Sequence, residues 1–430
     1  MGNPVGQATE AKPSSWRPWA MWSLGAMAFA YAFYQRVLPS VMVEELMRDF
    51  AVSGAVLGNL AALYFYVYAG MQIPIGAALD RWGTRRLLTF ALTLATAGSV
   101  LFALADSLVL AYLGRLMIGL GCAVGFVGTL HIVAAWFPHR RFAFMSGMTM
   151  LVGLGGGVLG QGPTAPIVDS LGWRETLLAA GFAGAVLAAA IWLILRDRPP
   201  GVEPTHDHRT RGWGTLLRGL AEVAGTRQIW IVSIFGCAMS GPMLSYGVLW
   251  GVPHLMIKYG VTRPVAAFSI SVVLIGWAIG APLAGWLSDS LGRRKLPSVV
   301  SAALLVLLWP LLLYLPGLPL AAFWVGLFLG GLISATMIVC FAMARENARG
   351  AVRSTATSFV NCLSVAAGAL MQPLIGWLLD LHWDGTIQDG ARVYGIEAYN
   401  AALLALPGSA VVALVFSLAL RETNAEQPAD

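Results

Sequence analysis

"GAALDRWGTRR", Gly76 to Arg86, interrupts an oil-like run: it follows "YFYVYAGMQIPI" directly and holds one acid, three arginines and two glycines in eleven residues. "GWLSDSLGRRK", Gly285 to Lys295, repeats the pattern. Gly76, Asp80, Gly83, Arg85 and Arg86 correspond to Gly285, Asp289, Gly292, Arg294 and Lys295 at a constant offset of 209. A polar turn copied to the matching place predicts two related halves, each with the same need at the end of a helix.

The totals say what kind of halves. The chain of 430 residues is 58% hydrophobic and 11% charged, with a mean hydropathy of +0.72. Soluble domains carry about 25% charged residues. A helix needs about 20 apolar residues to cross a hydrocarbon core of about 30 Å. Twelve runs of that kind are expected, near 19–42, 53–75, 87–105, 108–136, 143–168, 175–195, 229–251, 264–287, 296–316, 319–343, 355–379 and 397–420. The expected fold class is an all-α membrane protein of twelve transmembrane helices, in two six-helix bundles related by pseudo-two-fold symmetry. The bundles span 19–195 and 228–420, joined by a flexible connector, 196–227, and flanked by tails 1–18 and 421–430.

Arginine and lysine set the orientation, since they concentrate in cytoplasmic loops. With the N-terminus inside, twenty of the 27 fall on the inner side and five on the outer, which predicts two cytoplasmic termini. The net charge of +6 then reflects topology, and no nucleic-acid partner is expected. Cys122, Cys237, Cys340 and Cys362 stand alone in apolar runs, so neither a metal site nor a disulfide framework is implied. The tail before the first span is polar and Pro-rich, which argues against a cleavable signal. No nucleophile, metal or paired-acid constellation points to an enzyme, and no cofactor is expected.

Two positive charges remain, Arg36 and Arg115, both within expected helices together with His131. All 21 acids fall in loops or at helix ends. A charged side chain at mid-helix costs about 2.5–3.5 kcal/mol on insertion scales. Unbalanced arginines therefore call for a partner, and guanidinium binds carboxylate or phosphate bidentately. Pro39 cannot donate to the Gln35 carbonyl, so the helix should loosen beside Arg36. Tyr31, Tyr34 and Gln35 are candidate neutral ligands around a bound head group. On the other wall the candidates are Tyr246, Trp250, Trp277, Asn361 and Gln372.

The doubled knot resembles motif A of the major facilitator superfamily, G-x-x-x-D-R-x-G-R-R, between helices two and three. Gly76, Asp80, Arg81, Gly83, Arg85 and Arg86 match it, and the second copy, with Asp289, Gly292, Arg293 and Arg294, has Ser290 for the first arginine. "RLMIGLGCA" from Arg115 is similar to the family's fourth-helix motif B. The resemblance implies a secondary transporter working by alternating access, in which Asp80 meets the start of helix eleven and latches the bundles on the inside. Gly76 would allow close backbone approach and Gly83 a tight turn.

The segment around Arg36 resembles the anion-carrying branches, namely organophosphate/phosphate exchangers and anion/cation symporters. The exchangers' second arginine, on helix seven, is Ser245 here, which favours a monoanion or small carboxylate. The symporters' acids are replaced by Gln35 and Cys122, leaving His131 as the candidate for proton coupling. The expected function is transport of a small organic anion, by proton-linked symport or anion exchange, as a single subunit in a bacterial inner membrane. A drug or metabolite exporter of the same fold is the alternative, although "GGGVLGQGPTAP" departs from the antiporters' motif C. A non-transporting membrane sensor is a second alternative.

Overall fold

Apolar runs with internal 3.6-residue hydrogen bonding leave no main-chain group unpaired in lipid, and helices are what the chain forms. In the computed structural model, residues 16–138, 141–199, 213–349, 352–388 and 390–424 are described. The long helical segments are α1 Arg17–Val37, α2 Gly54–Trp82, α3 Thr84–Ala103, α4 Leu108–Trp136, α5 Phe142–Gln161, α6 Trp173–Ile194, α7 Arg227–Tyr259, α8 Arg263–Leu291, α9 Lys295–Tyr314, α10 Leu320–Glu346, α11 Arg353–Leu381 and α12 Ile396–Ala419. Among the described residues ten segments are long and apolar enough to cross a membrane; α1 and α5 are not among them. This is an integral membrane protein, with twelve spans expected and ten meeting that standard.

Helix pairing repeats after six. α1 packs on α5 and α6, α2 on α4, and α3 on α6; α7 packs on α11 and α12, α8 on α10, and α9 on α12. The two sets meet where α2 runs along α11 and α5 along α8. The first meeting depends on glycine: a Cβ on Gly58 would press on the Gln372 carbonyl, and one on Gly376 on the Gly54 carbonyl. The close approach expected at Gly76 is not found there, since a Cβ at Gly76 would meet nothing within 4 Å. The backbones touch at the opposite end of α2, at Gly54 and Gly58.

Two local expectations are also revised, and one local feature was not expected. α1 ends at Val37 rather than near 42, and Leu38–Val41 forms a 3-10 turn, because Pro39 has no N–H to continue the helix. The connector is not loop throughout: Trp213–Ala224 is a helix packed on α11. Pro242 lies within α7, and a π-helical turn, Tyr246–Trp250, follows it.

The end of the molecule remote from the connector is sealed by polar contacts between the sets. Asp380, in the last turn of α11, accepts from the main-chain N–H groups of Gly54 (3.0 Å) and Ala55 (2.9 Å). An acid at a helix N-terminus meets both the free N–H groups and the positive end of the dipole. At the second crossing Arg263, which begins α8, pairs with Glu45 (2.6 Å), Asp169 (2.9 Å) and Glu44 (3.3 Å) of the first set. Gly54 and Arg263 are separated by the repeat offset of 209, so each crossing has an acid facing the equivalent helix start.

Candidate functional site

At the connector end, each polar knot begins a helix and an acid from the end of the same half caps it. Gly83 (φ +78°) and Gly292 (φ +60°) make the turns, in backbone regions that favour glycine. Asp197, just beyond α6, accepts from the Arg85 N–H at 2.7 Å. Glu422, just beyond α12, accepts from the N–H groups of Arg294 (2.7 Å) and Lys295 (3.1 Å). Arg85 stacks on Trp192, with 4.5 Å between guanidinium carbon and ring centroid. Buried Arg294 pairs with Glu346 of α10 at 2.9 Å and with Asp289. Arg81, Arg86 and Arg293 are exposed. The Asp80 side chain lies outside the described residues.

Between the two sets lies a cavity of about 350 Å3, lined by α1, α2, α4 and α5 on one side and α7, α8, α10 and α11 on the other. Phe29, Phe33 and Arg36 project into it from α1, at the i, i+4, i+7 spacing that places residues on one helix face. Arg36 is 5% exposed and is the one charged residue among the described residues of the lining. Its guanidinium carbon lies 4.3 Å from the Phe33 ring centroid, 4.9 Å from Tyr68, 5.3 Å from Tyr64 and 5.6 Å from Phe65. Ring faces hold a cation, each worth about 0.5–2 kcal/mol, the Tyr64 and Tyr68 hydroxyls also interact with the guanidinium, and Arg36 Nε has no hydrogen-bond partner. Among the described residues it forms no ion pair.

Arg115 is equally buried but engaged differently. It donates to the Gln35 carbonyl at 2.7 Å and the Arg36 carbonyl at 3.3 Å, and it does not line the cavity. It caps the negative C-terminal end of α1. The Tyr64 ring lies between the two cations, 5.1 Å from the Arg115 guanidinium carbon.

Of the other expected ligands, Trp277 and Asn361 reach the cavity. Asn361 donates to Gln72 Oε1 of the opposite set at 3.3 Å, while Trp277 Nε1 has no partner. The remainder turn away because the helix phase carries them into their own half. Gln35 donates to the Tyr31 hydroxyl (2.8 Å) and Ser99 (3.3 Å), facing α3. Tyr34 accepts from Thr164. Tyr246 bonds His254 (2.8 Å), Trp250 donates to the Gln372 carbonyl (3.0 Å), and Gln372 donates to the Leu244 carbonyl (2.8 Å). His131 is exposed near the connector end, 3.0 Å from Thr84 Oγ1 and outside the cavity. Phe29, Phe33, Tyr68, Gln72, Met243 and Met337 were not anticipated; uncharged residues in an apolar helix carry no signal beyond sharing a face with Arg36.

Comparisons with known proteins agree with this architecture. The chain is 26% identical over 174 residues to the uncharacterized transporter YybO of Bacillus subtilis (strain 168), 40% of each chain. It is 23% identical over 288 residues to the probable sulfoacetate transporter SauU of Cupriavidus necator, covering 63% of this chain and 65% of that one. The chain thus spans less than two thirds of either relative. Among solved structures, a bacterial homologue of the human lysosomal transporter Spinster superposes with a TM-score of 0.75 at 19% identity, covering 95% of this chain and 96% of that one. The family model of the Major Facilitator Superfamily matches residues 24–370 and 237–430. On that match, this chain belongs to the Major Facilitator Superfamily.

Proposed function

We propose that this transporter moves a small organic anion across a bacterial inner membrane by alternating access, with Arg36 as the anion's ligand. The observation that carries the reading is a buried guanidinium facing a central cavity, held by ring faces and paired with no acid among the described residues. A carboxylate supplies the charged acceptor that the rings and their hydroxyls lack. The SauU resemblance supports an anion in that place. Arg115 acts at one remove, holding the last turn of α1 and so the direction of Arg36. Asn361 and Trp277 are the polar groups offered by the opposite wall.

The positive-inside distribution puts the connector end in the cytoplasm. The contacts at Asp380 and Arg263 then close the outer side, so this form faces inward. Opening outward requires both crossings to part while the polar knots close the inner side. Bringing in an uncompensated anion costs about 2.3 kcal/mol per 100 mV, so uptake is coupled to a proton or a counter-anion.

A screen of labelled mono- and dicarboxylates in proteoliposomes, wild type beside Arg36→Ala, tests the reading. The expected result is saturable flux of at least one anion that the substitution abolishes, with the melting temperature retained. Unchanged flux in Arg36→Ala would remove Arg36 as the ligand.

A further inference from the structure

The cavity is graded along its axis. α1 rises about 1.5 Å per residue, which sets Arg36 roughly 10 Å deeper than Phe29, toward the sealed end. Phe29 packs edge-on against Phe33 with 5.1 Å between centroids, and its ring lies 4.9 Å from that of Phe126. These three rings make one wall below the cation, and Met243, Met337 and Ile338 belong to the wall opposite. Polar side chains in these walls are few and mostly engaged: Ser240 and Ser364 bond carbonyls one turn back in their own helices, Gln72 bonds Asn361, and Trp277 Nε1 has no partner, while Thr357 and Ser358 lie in the opening turns of α11. A single cation thus stands at the bottom of a mostly apolar belt, with Thr357 and Ser358 toward the mouth. About 350 Å3 lies at the low end of small-molecule sites, about 300–1,000 Å3.

We infer that the anion is a monocarboxylate with an aromatic or branched apolar body, bound carboxylate-first. This rests on the anion reading above and narrows its substrate class. One guanidinium balances one negative charge; a second charge on the same molecule would lie in the belt, where no second cation waits for it and Trp277 Nε1 offers a single neutral donor. Hydroxyl groups along the body of a sugar acid would face phenyl, thioether and butyl groups and lose their water without replacement.

Calorimetric titration of purified full-length protein tests this without the leak of weak acids through lipid. The apolar probes are phenylacetate, 3-phenylpropanoate and 4-methyl-2-oxopentanoate. The polar probes are gluconate, glucarate and sulfoacetate. At least one apolar monocarboxylate is expected to bind about tenfold or more tighter than every polar probe, and Arg36→Ala should abolish that binding. Met337→Gln, which puts an amide into the belt, should narrow the ratio to gluconate. Binding of gluconate, glucarate or sulfoacetate that equals or exceeds that of the apolar acids, and still needs Arg36, overturns this inference and leaves the anion reading intact. Binding of apolar acids that survives Arg36→Ala overturns both. Absence of binding by all three apolar acids overturns this inference alone.

Discussion

Arg115 donates to the Gln35 carbonyl at 2.7 Å, and Gln35 is the residue whose carbonyl Pro39 leaves without a main-chain donor. Two sequence features far apart in the chain thus answer each other. The proline frees an acceptor within the protein interior, and the arginine of the next-but-two helix fills it. The first-turn logic of a helix cap is applied here at the C-terminal end of α1, where a cation also opposes the dipole.

Removing that donor strands a buried carbonyl, at about 1–3 kcal/mol. Arg115→Leu should lower the melting temperature in detergent and weaken anion binding together, since the turn that aims Arg36 loosens. Pro39→Ala restores an N–H one turn later. In the double variant part of the lost stability should return, and a double-mutant cycle on melting temperature measures it. Strict additivity of the two substitutions would show that they do not share the acceptor.

The sealed end makes a separate prediction. Asp380 holds two main-chain N–H groups of α2, and Gly376 leaves room for the Gly54 carbonyl. Asp380→Ala removes a helix cap worth about 1 kcal/mol, and Gly376→Val adds a side chain where backbone already lies. Both should shift the population toward an open far end. Ser40, 2% exposed behind that seal, gives the readout. In a background without the four native cysteines, Ser40→Cys should react faster with a maleimide once either substitution is added. No change in rate would mean that these contacts do not keep that end closed.

At the connector end, Glu422 gives the pH dependence. Burial raises its carboxyl pKa, but hydrogen bonds from the main-chain N–H groups of Arg294, Lys295, Asn424 and Thr423 outweigh burial and hold it below the usual glutamate range. A depressed carboxylate contributes stability that is complete above its unfolded value, about 4.3, and fades as pH falls through the lower folded value. Melting curves from pH 7 down to pH 3 should therefore show an acid loss that is smaller in Glu422→Ala. At neutral pH that variant should be less stable by about 1 kcal/mol, the usual loss of an N-cap. Parallel acid profiles for the two proteins would contradict the assignment.

Much of the architecture could be read from residue order alone. The hydropathy runs, the charge asymmetry and the 209-residue offset between the polar knots act locally, through lipid, water and turn geometry. They placed the all-α membrane class, and ten described helices are long and apolar enough to span. Arg36 was legible for the same reason, since a cation in an apolar run is costly wherever the helix packs.

What could not be read was which way each helix faces. Tyr31, Tyr34 and Gln35 sit within five residues of Arg36 in sequence, yet a turn of about 100° per residue carries them to other neighbours. Tyr246, Trp250 and Gln372 are taken up inside their own half. Arg115 is indistinguishable from Arg36 by residue type, and only the packing of α4 against the end of α1 separates a main-chain cap from a residue facing the cavity. The cavity belongs to neither half: its walls come from residues as far apart as Phe29 and Val365. Its shape arises from the approach of α2 to α11 and of α5 to α8, and contacts of that kind exist only after two separately assembled sets of helices have met.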